Sequence, residues 1–248
     1  MAPLFVVSDI HGHRDDLVDG LVECGLATPD GGWSGSDAQL WVLGDLLDRG
    51  PDGIGVIDLA MSLQSQAPDQ VHVLLGNHEA LALGTKRFPD SRFAGSWLIN
   101  GGLARDQEAL TDRHVAWLAG LPSIARVGDF LFLHSDSSAY LDYGESVEEI
   151  NATVTGVLAG DDVEDHWELW AGLTSRYHFA RRDGTQLAAA MLDTLGGTTI
   201  VHGHSVIGSL TGRPSAAVSD PVLYADGQVL AIDGGRYDGG PLLVVRLE

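Results

Sequence analysis

The fold is decided by residues 4–12, whose sequence is LFVVSDIHG. An apolar run over residues 4–7 is followed at once by the polar pair Ser8 and Asp9. A short run of this kind, rich in β-branched and aromatic residues, predicts a buried strand. Apolar residues then recur at helical spacing, at Leu17, Val18, Leu21 and Val22. The stretch therefore predicts a strand, a polar loop and a helix.

The same order of elements returns twice. Residues 40–43, LWVL, precede Gly44 and Asp45, and residues 71–75, VHVLL, precede Gly76 and Asn77. A helix after the first of these strands is indicated by Ile54, Ile57, Leu59 and Leu63. Short apolar strands that alternate with helices are typical of a largely parallel sheet with crossover helices.

The second half of the chain has a different pattern. Its apolar spacing predicts helices over 106–119, 146–159 and 185–195. Strands are predicted over 130–133, 199–202, 222–225, 229–232 and 242–247, and the closing strands fit a second, more antiparallel sheet. No Ser- or Pro-rich linker and no repeat interrupts the chain, so residues 1–248 are interpreted as a single domain. The expected fold class is α/β, with two mixed β-sheets packed as a sandwich and flanked by helices.

Composition and charge disfavour several kinds of partner. The 248 residues include 35 acidic and 14 basic residues, for a formal net charge of −21, and Lys86 is the only lysine. Such a field repels polyanions, which argues against nucleic-acid and anionic-membrane partners. The single cysteine, Cys24, excludes an internal disulfide, and its apolar surroundings favour a core position.

Localisation is inferred from the absence of two kinds of segment. The chain has no run of 18 apolar residues, and its first residues lack the basic start and the long apolar segment of a signal peptide. We therefore expect a cytoplasmic protein.

The first polar motif after a strand contains Asp9 and His11. Ligand sites in α/β sheets lie at the carboxyl ends of strands, because the loops converge there. In an extended segment residues i and i+2 point to one side, so a carboxylate and an imidazole can face one divalent metal. Taken alone, an Asp-x-His pair is more often structural.

The second motif is residues 44–50, GDLLDRG. Asp45 at the strand end can bridge two metals through its two oxygens, while Asp48 is offset and better placed to orient a neighbour. Arg49 has a planar guanidinium suited to phosphate oxygens. An Asp-rich turn with a surface arginine explains this motif equally well in isolation.

The third motif is residues 76–79, GNHE. The Asn77 oxygen is a neutral ligand and His78 can transfer a proton near neutral pH; the structural alternative for Asn77 is to cap the following helix. Two later strands end in histidine: residues 130–134 are FLFLH, and residues 199–205 are TIVHGHS, which contain His202 and His204. Four further histidines are interpreted as structural, namely His72, His114, His166 and His178.

These motifs, in this order, resemble the calcineurin-like metallophosphoesterases, and within them the phosphoprotein phosphatase branch. The resemblance extends over nearly the whole chain and includes residues 97–102, WLINGG, residues 232–235, IDGG, and Gly239-Gly240. It implies a fold of two β-sheets in a sandwich flanked by helices. It also implies two divalent metal ions, with Mn²⁺ as the first choice and Fe or Zn²⁺ as alternatives that suit the mixed donor set.

The resemblance assigns a role to each matching residue. One metal is expected on Asp9, His11 and Asp45, and the other on Asp45, Asn77, His134 and His204. It implies that His78 and Asp48 form the general-acid pair and that Arg49 binds phosphate. Glu79 matches a supporting position, and His202 is expected outside the ligand set. A second phosphate-binding arginine is expected between the last two ligand histidines, and the candidates are Arg176, Arg181 and Arg182.

The implied activity is hydrolysis of phosphomonoesters, either of phosphoprotein Ser/Thr or of small molecules, by in-line attack of a hydroxide that bridges the metals. Many relatives have two glycines after the ligand histidine, whereas Ser135 and Asp136 stand here; their bulk and charge are expected to narrow the range of substrates. Val206 stands where phosphodiesterase relatives commonly have a histidine, which favours monoester or pyrophosphate cleavage. The alternatives are hydrolysis of dinucleoside polyphosphates such as diadenosine tetraphosphate, and a metal-bound binding module without turnover. The expected partner is thus a phosphorylated substrate.

Overall fold

Within residues 2–248, which this computed structural model describes, nine strands form two sheets. The strands are β1 (Leu4–Val7), β2 (Gln39–Val42), β3 (Val71–Val73), β4 (Ile124–Val127), β5 (Phe130–Leu133), β6 (Thr199–His202), β7 (Val222–Tyr224), β8 (Val229–Ala231) and β9 (Val245–Leu247). The first sheet has the order β3-β2-β1-β9, and the second has the order β4-β5-β6-β8-β7. Each contains parallel and antiparallel pairs, which confirms the prediction of two mixed sheets.

Helices flank both sheets. In the described part of the chain they are α1 (Arg14–Glu23), α2 (Gly53–Gln66), α3 (Asn77–Arg87), α4 (Arg92–Ile99), α5 (Ala104–Ala109), α6 (Asp112–Ala119), α7 (Val147–Ala159), α8 (Val163–Thr174), α9 (Gly184–Leu195) and α10 (Ile207–Thr211). Side-chain caps define several starts, as where the Asp52 carboxylate accepts a hydrogen bond from the Gly55 N–H at 2.9 Å. None of these helices, over residues 2–248, has the length and apolar composition required to cross a bilayer.

The two sheets pack face to face through an apolar layer. This inter-sheet layer contains Val6, Leu43, Leu74, Phe132, Val201 and Ile232, all buried. Trp41 of β2 and Phe132 of β5 meet across it, with their ring centroids 5.4 Å apart. The opposite faces of both sheets pack against the helices through a larger apolar cluster. The arrangement is the predicted sandwich.

The inter-sheet layer leads to a prediction for Phe132→Ala. The Phe132 side chain is fully buried, so its removal leaves a cavity between two sheets that cannot close independently. We expect the free energy of unfolding in urea to fall by about 3–5 kcal/mol. Phe130→Ala on the same strand, where the side chain is only partly buried, is the matched control and should cost less. Equal losses for the two variants would contradict the assignment of Phe132 to the layer.

The carboxyl ends of the parallel strands meet at one edge of the sandwich. Backbone bonds continue past the strands, from the Asp9 N–H to the Gly44 oxygen at 3.1 Å and from the Gly203 N–H to the His134 oxygen at 2.9 Å. The two sheets are joined at this edge by the His134 ring, whose Nδ1 lies 2.8 Å from the Leu43 oxygen. The loops that carry the polar motifs therefore converge.

Several elements differ from the prediction. The helix expected over 106–119 is divided into α5 and α6, because Thr111 caps the second helix by accepting from the His114 N–H at 3.3 Å. The strand expected over 242–247 is confined to β9 and pairs antiparallel with β1, in the first sheet and not in the closing sheet. The pairing covers the free edge of β1 and buries Leu247 in the inter-sheet layer. Strand β4 and helices α4, α8 and α10 were not predicted.

Candidate metal centre

The six residues expected as metal ligands lie together at the converging loops. They follow the ends of five strands and none is more than 4% exposed: Asp9, His11, Asp45, Asn77, His134 and His204. Asp45 lies in the middle. Its Oδ2 is 3.5 Å from His11 Nε2, and its Oδ1 is 3.3 Å from His134 Nε2. One carboxylate thus faces both halves of the cluster.

Two sets of donor atoms are compact enough to hold an ion each. One set is His11, Asp45 and His78, and the other is Asp45, His134 and His204; the donor atoms of each set lie within 4.8 Å of one another. Asp45 belongs to both sets. The first set contains His78 where the sequence had suggested Asp9.

Asp9 lies at the border of the first set. Its Oδ1 is 4.0 Å from His11 Nε2. Its Oδ2 accepts hydrogen bonds from the His204 N–H at 2.7 Å and from the Ser8 hydroxyl at 2.5 Å. The backbone at Gly203 passes so close to Asp9 Oδ2 that a Cβ there would collide with it. Asp9 therefore has one oxygen engaged and one directed toward the cluster.

Backbone carbonyls decide which nitrogen of each ligand histidine carries the proton. A carbonyl oxygen only accepts, so the nitrogen facing it must donate. The pairs are His11 Nδ1 with Leu47 at 3.0 Å, His134 Nδ1 with Leu43 at 2.8 Å and His204 Nε2 with Thr174 at 3.0 Å. The other nitrogen of each neutral ring then holds a lone pair, which is the state that binds a metal.

Some buried polar atoms at the cluster have no hydrogen-bond partner among the described residues. His134 Nε2 and the Asn77 side-chain oxygen face each other at 2.8 Å. His78 Nε2 and Asp233 Oδ2 are buried without a hydrogen-bond partner. Cations that take electron pairs from both nitrogen and oxygen would satisfy these atoms.

The pKa shifts within the cluster also favour the binding of cations. Burial, followed by the charges of Asp9 and Glu79, raises the pKa of Asp45 well above its ordinary value. Burial also lowers the pKa of His11 and His204 well below the usual value, so both rings are neutral near pH 7. Neutral imidazoles beside crowded carboxylates form a site that attracts divalent cations. The donor set fits the two ions that the sequence implies.

Backbone strain is concentrated at the same residues. Of the ten non-glycine residues with positive φ in the described chain, six belong to the predicted site: Asp9, His11, Asp45, Asp48, Arg49 and His204. Such conformations are retained where the surrounding structure enforces them, and they are common at functional sites. Glu79 provides part of this support, because its buried carboxylate accepts the N–H groups of Asp45, Leu46 and Gly76.

His78 and Asp48, the two residues predicted as the acid pair, are in contact. His78 Nδ1 lies 2.8 Å from Asp48 Oδ2, and the Trp97 indole N–H donates to the other Asp48 oxygen at 3.1 Å. Burial raises the pKa of Asp48 to about 6, while burial and the charge of Arg49 lower that of His78. His78 Nε2 is left facing the cluster, 4.0 Å from Asp45 Oδ2.

Arg49 stands beside the cluster, half-buried. Its Nη1 donates to His11 Nε2 at 2.8 Å, and its Nε donates to the Asn100 oxygen at 3.3 Å. The guanidinium lies over the Tyr237 ring, 4.1 Å from the centroid. The stacking orients a planar, charged group at the border of the site.

The three candidate arginines between His134 and His204 lie in different environments. The segment that carries Arg176 reaches the cluster, because the oxygen of Thr174, two residues earlier, lies 3.0 Å from His204 Nε2. The charge of Arg176 also contributes, after burial, to the lowered pKa of both His78 and His204. Arg181 and Arg182 are exposed, and Arg181 lines a separate hollow with Phe179 and Leu210. The sequence-based choice of Arg181 as a second candidate therefore finds no support.

His202 and Asp136 are two neighbouring residues for which the sequence led to an expectation. His202 lies outside both donor sets and its Nε2 is 2.8 Å from the Tyr224 hydroxyl. Asp136 is fully buried and both its oxygens accept hydrogen bonds from the protein, from the Ser205 hydroxyl and the Tyr177 N–H. Both Asp136 oxygens are thus engaged within the protein, and the expected effect of Asp136 on the range of substrates stays a prediction.

Sequence reasoning missed Asp233, Tyr237 and Trp97 as site residues. Asp233 follows the end of β8, so the criterion that found Asp45 also applied to it. Tyr237 lies between Gly235 and Gly239, both at positive φ, in a turn whose direction the sequence did not reveal. Trp97 is brought to Asp48 only by the packing of α4.

The fold and the donor set together define a class of proteins with two packed sheets and a candidate site for two divalent metal ions. The family model for calcineurin-like phosphoesterases matches residues 2–208, and the chain belongs to this family. The resemblance noted in the sequence is thereby confirmed.

Individual relatives are more distant. The chain is 28% identical over 163 residues to the symmetrical bis(5'-nucleosyl)-tetraphosphatase of Vibrio parahaemolyticus, a match that covers 64% of this chain and 53% of that protein. It is 37% identical over 140 residues to the protein of the same name from an Acidovorax species, covering 53% and 43%. The chain thus spans about half the length of the curated relatives it matches.

Among solved structures, a cold-active protein tyrosine phosphatase of a psychrophilic Shewanella species superposes with a TM-score of 0.75 at 23% identity. The superposition covers 100% of this chain and 76% of that one. At this identity the likeness shows a shared fold.

Proposed function

We propose that the protein is a metal-dependent phosphatase that transfers the phosphoryl group of a phosphomonoester to water. The observation that carries the proposal is the position of Asp45, which belongs to both donor sets while His78 and Arg49 border the same cluster. A carboxylate shared by two ions, an acid and a cationic phosphate ligand are the parts that such a reaction requires.

The metal ligands are assigned as follows. One ion would be held by Asp9, His11 and Asp45, and the other by Asp45, Asn77, His134 and His204. Two bound divalent ions would supply Lewis acidity and a water molecule acidified enough to attack phosphorus near neutral pH. Oxygen and nitrogen donors in this mixture suit Mn²⁺, our first choice, and also Fe or Zn²⁺.

The remaining residues act on the substrate. Arg49 and Arg176 would bind the phosphoryl oxygens and offset the charge that grows on them. His78 would give a proton to the leaving oxygen, and Asp48 stabilises the protonated ring by accepting from Nδ1. Proton donation matters most for leaving groups that are strong bases.

A second candidate is hydrolysis of dinucleoside polyphosphates, which the names of the curated relatives favour. Its anhydride leaving groups are weak bases, so the same site could cleave it with less help from His78. The two candidate functions are distinguished by which substrate the protein hydrolyses with the higher kcat/KM.

The test is a substrate panel on Mn²⁺-loaded protein: a phosphoserine peptide, p-nitrophenyl phosphate, diadenosine tetraphosphate and a cyclic nucleotide. We expect the two monoesters to have the highest kcat/KM and the cyclic diester the lowest. A preference for diadenosine tetraphosphate would establish the second candidate. Two bound metals without turnover of any of the four would identify a binding module and overturn the proposal.

A further inference from the structure

The loop after His134 is fastened to the segment that carries Arg176. Tyr177 donates its N–H to Asp136 Oδ2 at 2.8 Å, and His178 donates its N–H to the Asp136 backbone oxygen at 3.1 Å. Ser138 adds a third link, because its N–H donates to His178 Nδ1 at 3.1 Å. Asp136 thus makes two of the three contacts.

The other Asp136 oxygen is bound to the loop that follows β6. Asp136 Oδ1 accepts from the Ser205 hydroxyl at 2.5 Å, and Ser205 is adjacent to the proposed ligand His204. His204 in turn is 3.0 Å, through Nε2, from the Thr174 oxygen. Arg176 therefore lies in a segment held at Thr174 by a metal-site histidine and at Tyr177 by Asp136.

The conformation of this segment requires such anchoring. Tyr177 has φ of +65°, in the left-handed region that large side chains rarely adopt. Its N–H is held by a fully buried carboxylate, and a partly buried donor that lost this acceptor would lose a charge-assisted hydrogen bond. The hydrogen bond to the carboxylate stabilises this unusual backbone conformation. The conformation in turn sets the direction of the neighbouring Arg176 side chain.

We propose that Asp136 is a positioning residue that holds Arg176 in place to bind the phosphoryl group of the substrate. The inference rests on the proposed function insofar as Arg176 acts on phosphate. It gives a reason for an aspartate at a position where many relatives have glycine: the side chain acts through the neighbouring segment and not on the substrate. Ser205 orients the carboxylate from the other side.

The first test measures anchoring without any substrate. Trypsin can cleave after Arg176, and the exposed sites after Arg181 and Arg182 serve as internal references. In Asp136→Ala the bond between Arg176 and Tyr177 should be cut about tenfold faster than in the wild type, relative to those references. Asp136→Asn should resist cleavage, because its amide oxygen can accept from Tyr177 while its NH₂ donates to the Ser205 hydroxyl. Unchanged cleavage in Asp136→Ala would overturn the proposal.

The second test is a double-mutant cycle on kcat/KM for p-nitrophenyl phosphate. Asp136→Ala should lower kcat/KM about tenfold in the wild-type background, mostly through KM, and less than about twofold in Arg176→Ala. Asp136→Asn should restore activity to within about threefold, and all variants should retain two metals. Asp142→Ala, which removes an exposed carboxylate nearby, is the matched control and should have no effect.

The outcomes are distinguishable. Equal losses from Asp136→Ala in both backgrounds, or wild-type kinetics for Arg176→Ala, would overturn the positioning role. Failure of the proposed function would instead appear as a wild-type protein that turns over no phosphoester. In that case tryptic cleavage would still decide whether Asp136 anchors Arg176.

Discussion

Asp45→Asn is expected to abolish retention of the metals and activity together. The two oxygens of Asp45 face different histidines, at 3.5 Å for His11 and 3.3 Å for His134, so one substitution removes the shared anion from both sites. We expect metal affinity to fall by about 10²-fold or more, since even groups that only orient a ligand contribute 10- to 100-fold. The measurement is metal content after dialysis, with kcat/KM on the best substrate of the panel.

In the metal-free protein the same substitution, Asp45→Asn, should increase the stability of the fold. The pKa of Asp45 is raised in the folded protein. At pH above the ordinary pKa of an aspartate, the ionised Asp45 therefore lowers the free energy of unfolding. This loss of stability is relieved as the pH falls and the folded protein binds the proton. Asparagine has no such cost, and in EDTA the variant should have a higher Tm, by about 2–4 °C for each kcal/mol gained. Asp37→Asn, at an exposed position before β2, is the control. Wild-type metal retention in Asp45→Asn would rule out a bridging role.

His78→Asn is expected to lower turnover by about 10²–10⁴ for substrates with poor leaving groups. The substitution keeps an N–H to face Asp48 but removes Nε2, the nitrogen directed toward the cluster. The loss should be large for a phosphoserine peptide and smaller for p-nitrophenyl phosphate, whose leaving group needs little protonation. The ratio of the two kcat values therefore measures the acid role.

Metal content separates two roles for His78. Its Nε2 is close enough to Asp45 and His11 to belong to one donor set, so a ligand role is a geometric alternative. If His78 acts as an acid, His78→Asn should retain both metals. If His78 is a metal ligand, the variant should lose one. His72→Asn, on β3, is the matched control and should change neither quantity. Loss of one metal in His78→Asn, with equal losses for both substrates, would reassign the residue.

The parts of the site that could be predicted share one property. Asp9, Asp45, Asn77 and His134 each follow a short apolar strand, and a strand and its end are local features of sequence. The convergence of parallel strand ends then brings such residues together without further information. Asp233 satisfied the same criterion.

Other parts depended on packing between distant segments. Nothing local distinguishes Arg176 from Arg181, which lie five positions apart; the difference arises because Asp136 and His204 bind the segment that carries Arg176. The direction of the Asp136 carboxylate depended on packing in the same way. Its charge was known from the sequence, but its hydrogen-bond partners, Ser205 and Tyr177, belong to distant segments.

The sequence by itself determined the strand, loop and helix units, the two-sheet class and the identity of the buried polar residues at the strand ends, because apolar periodicity and turn residues act over a few positions. The tertiary structure alone decided that β9 completes the first sheet, that the donor atoms of Asp45 belong to both donor sets and that the Asp136 carboxylate is bound by Ser205. Short strands and single side chains have little local preference. Their final positions are selected by the edge that needs a partner or by the buried hydrogen bond that must be satisfied.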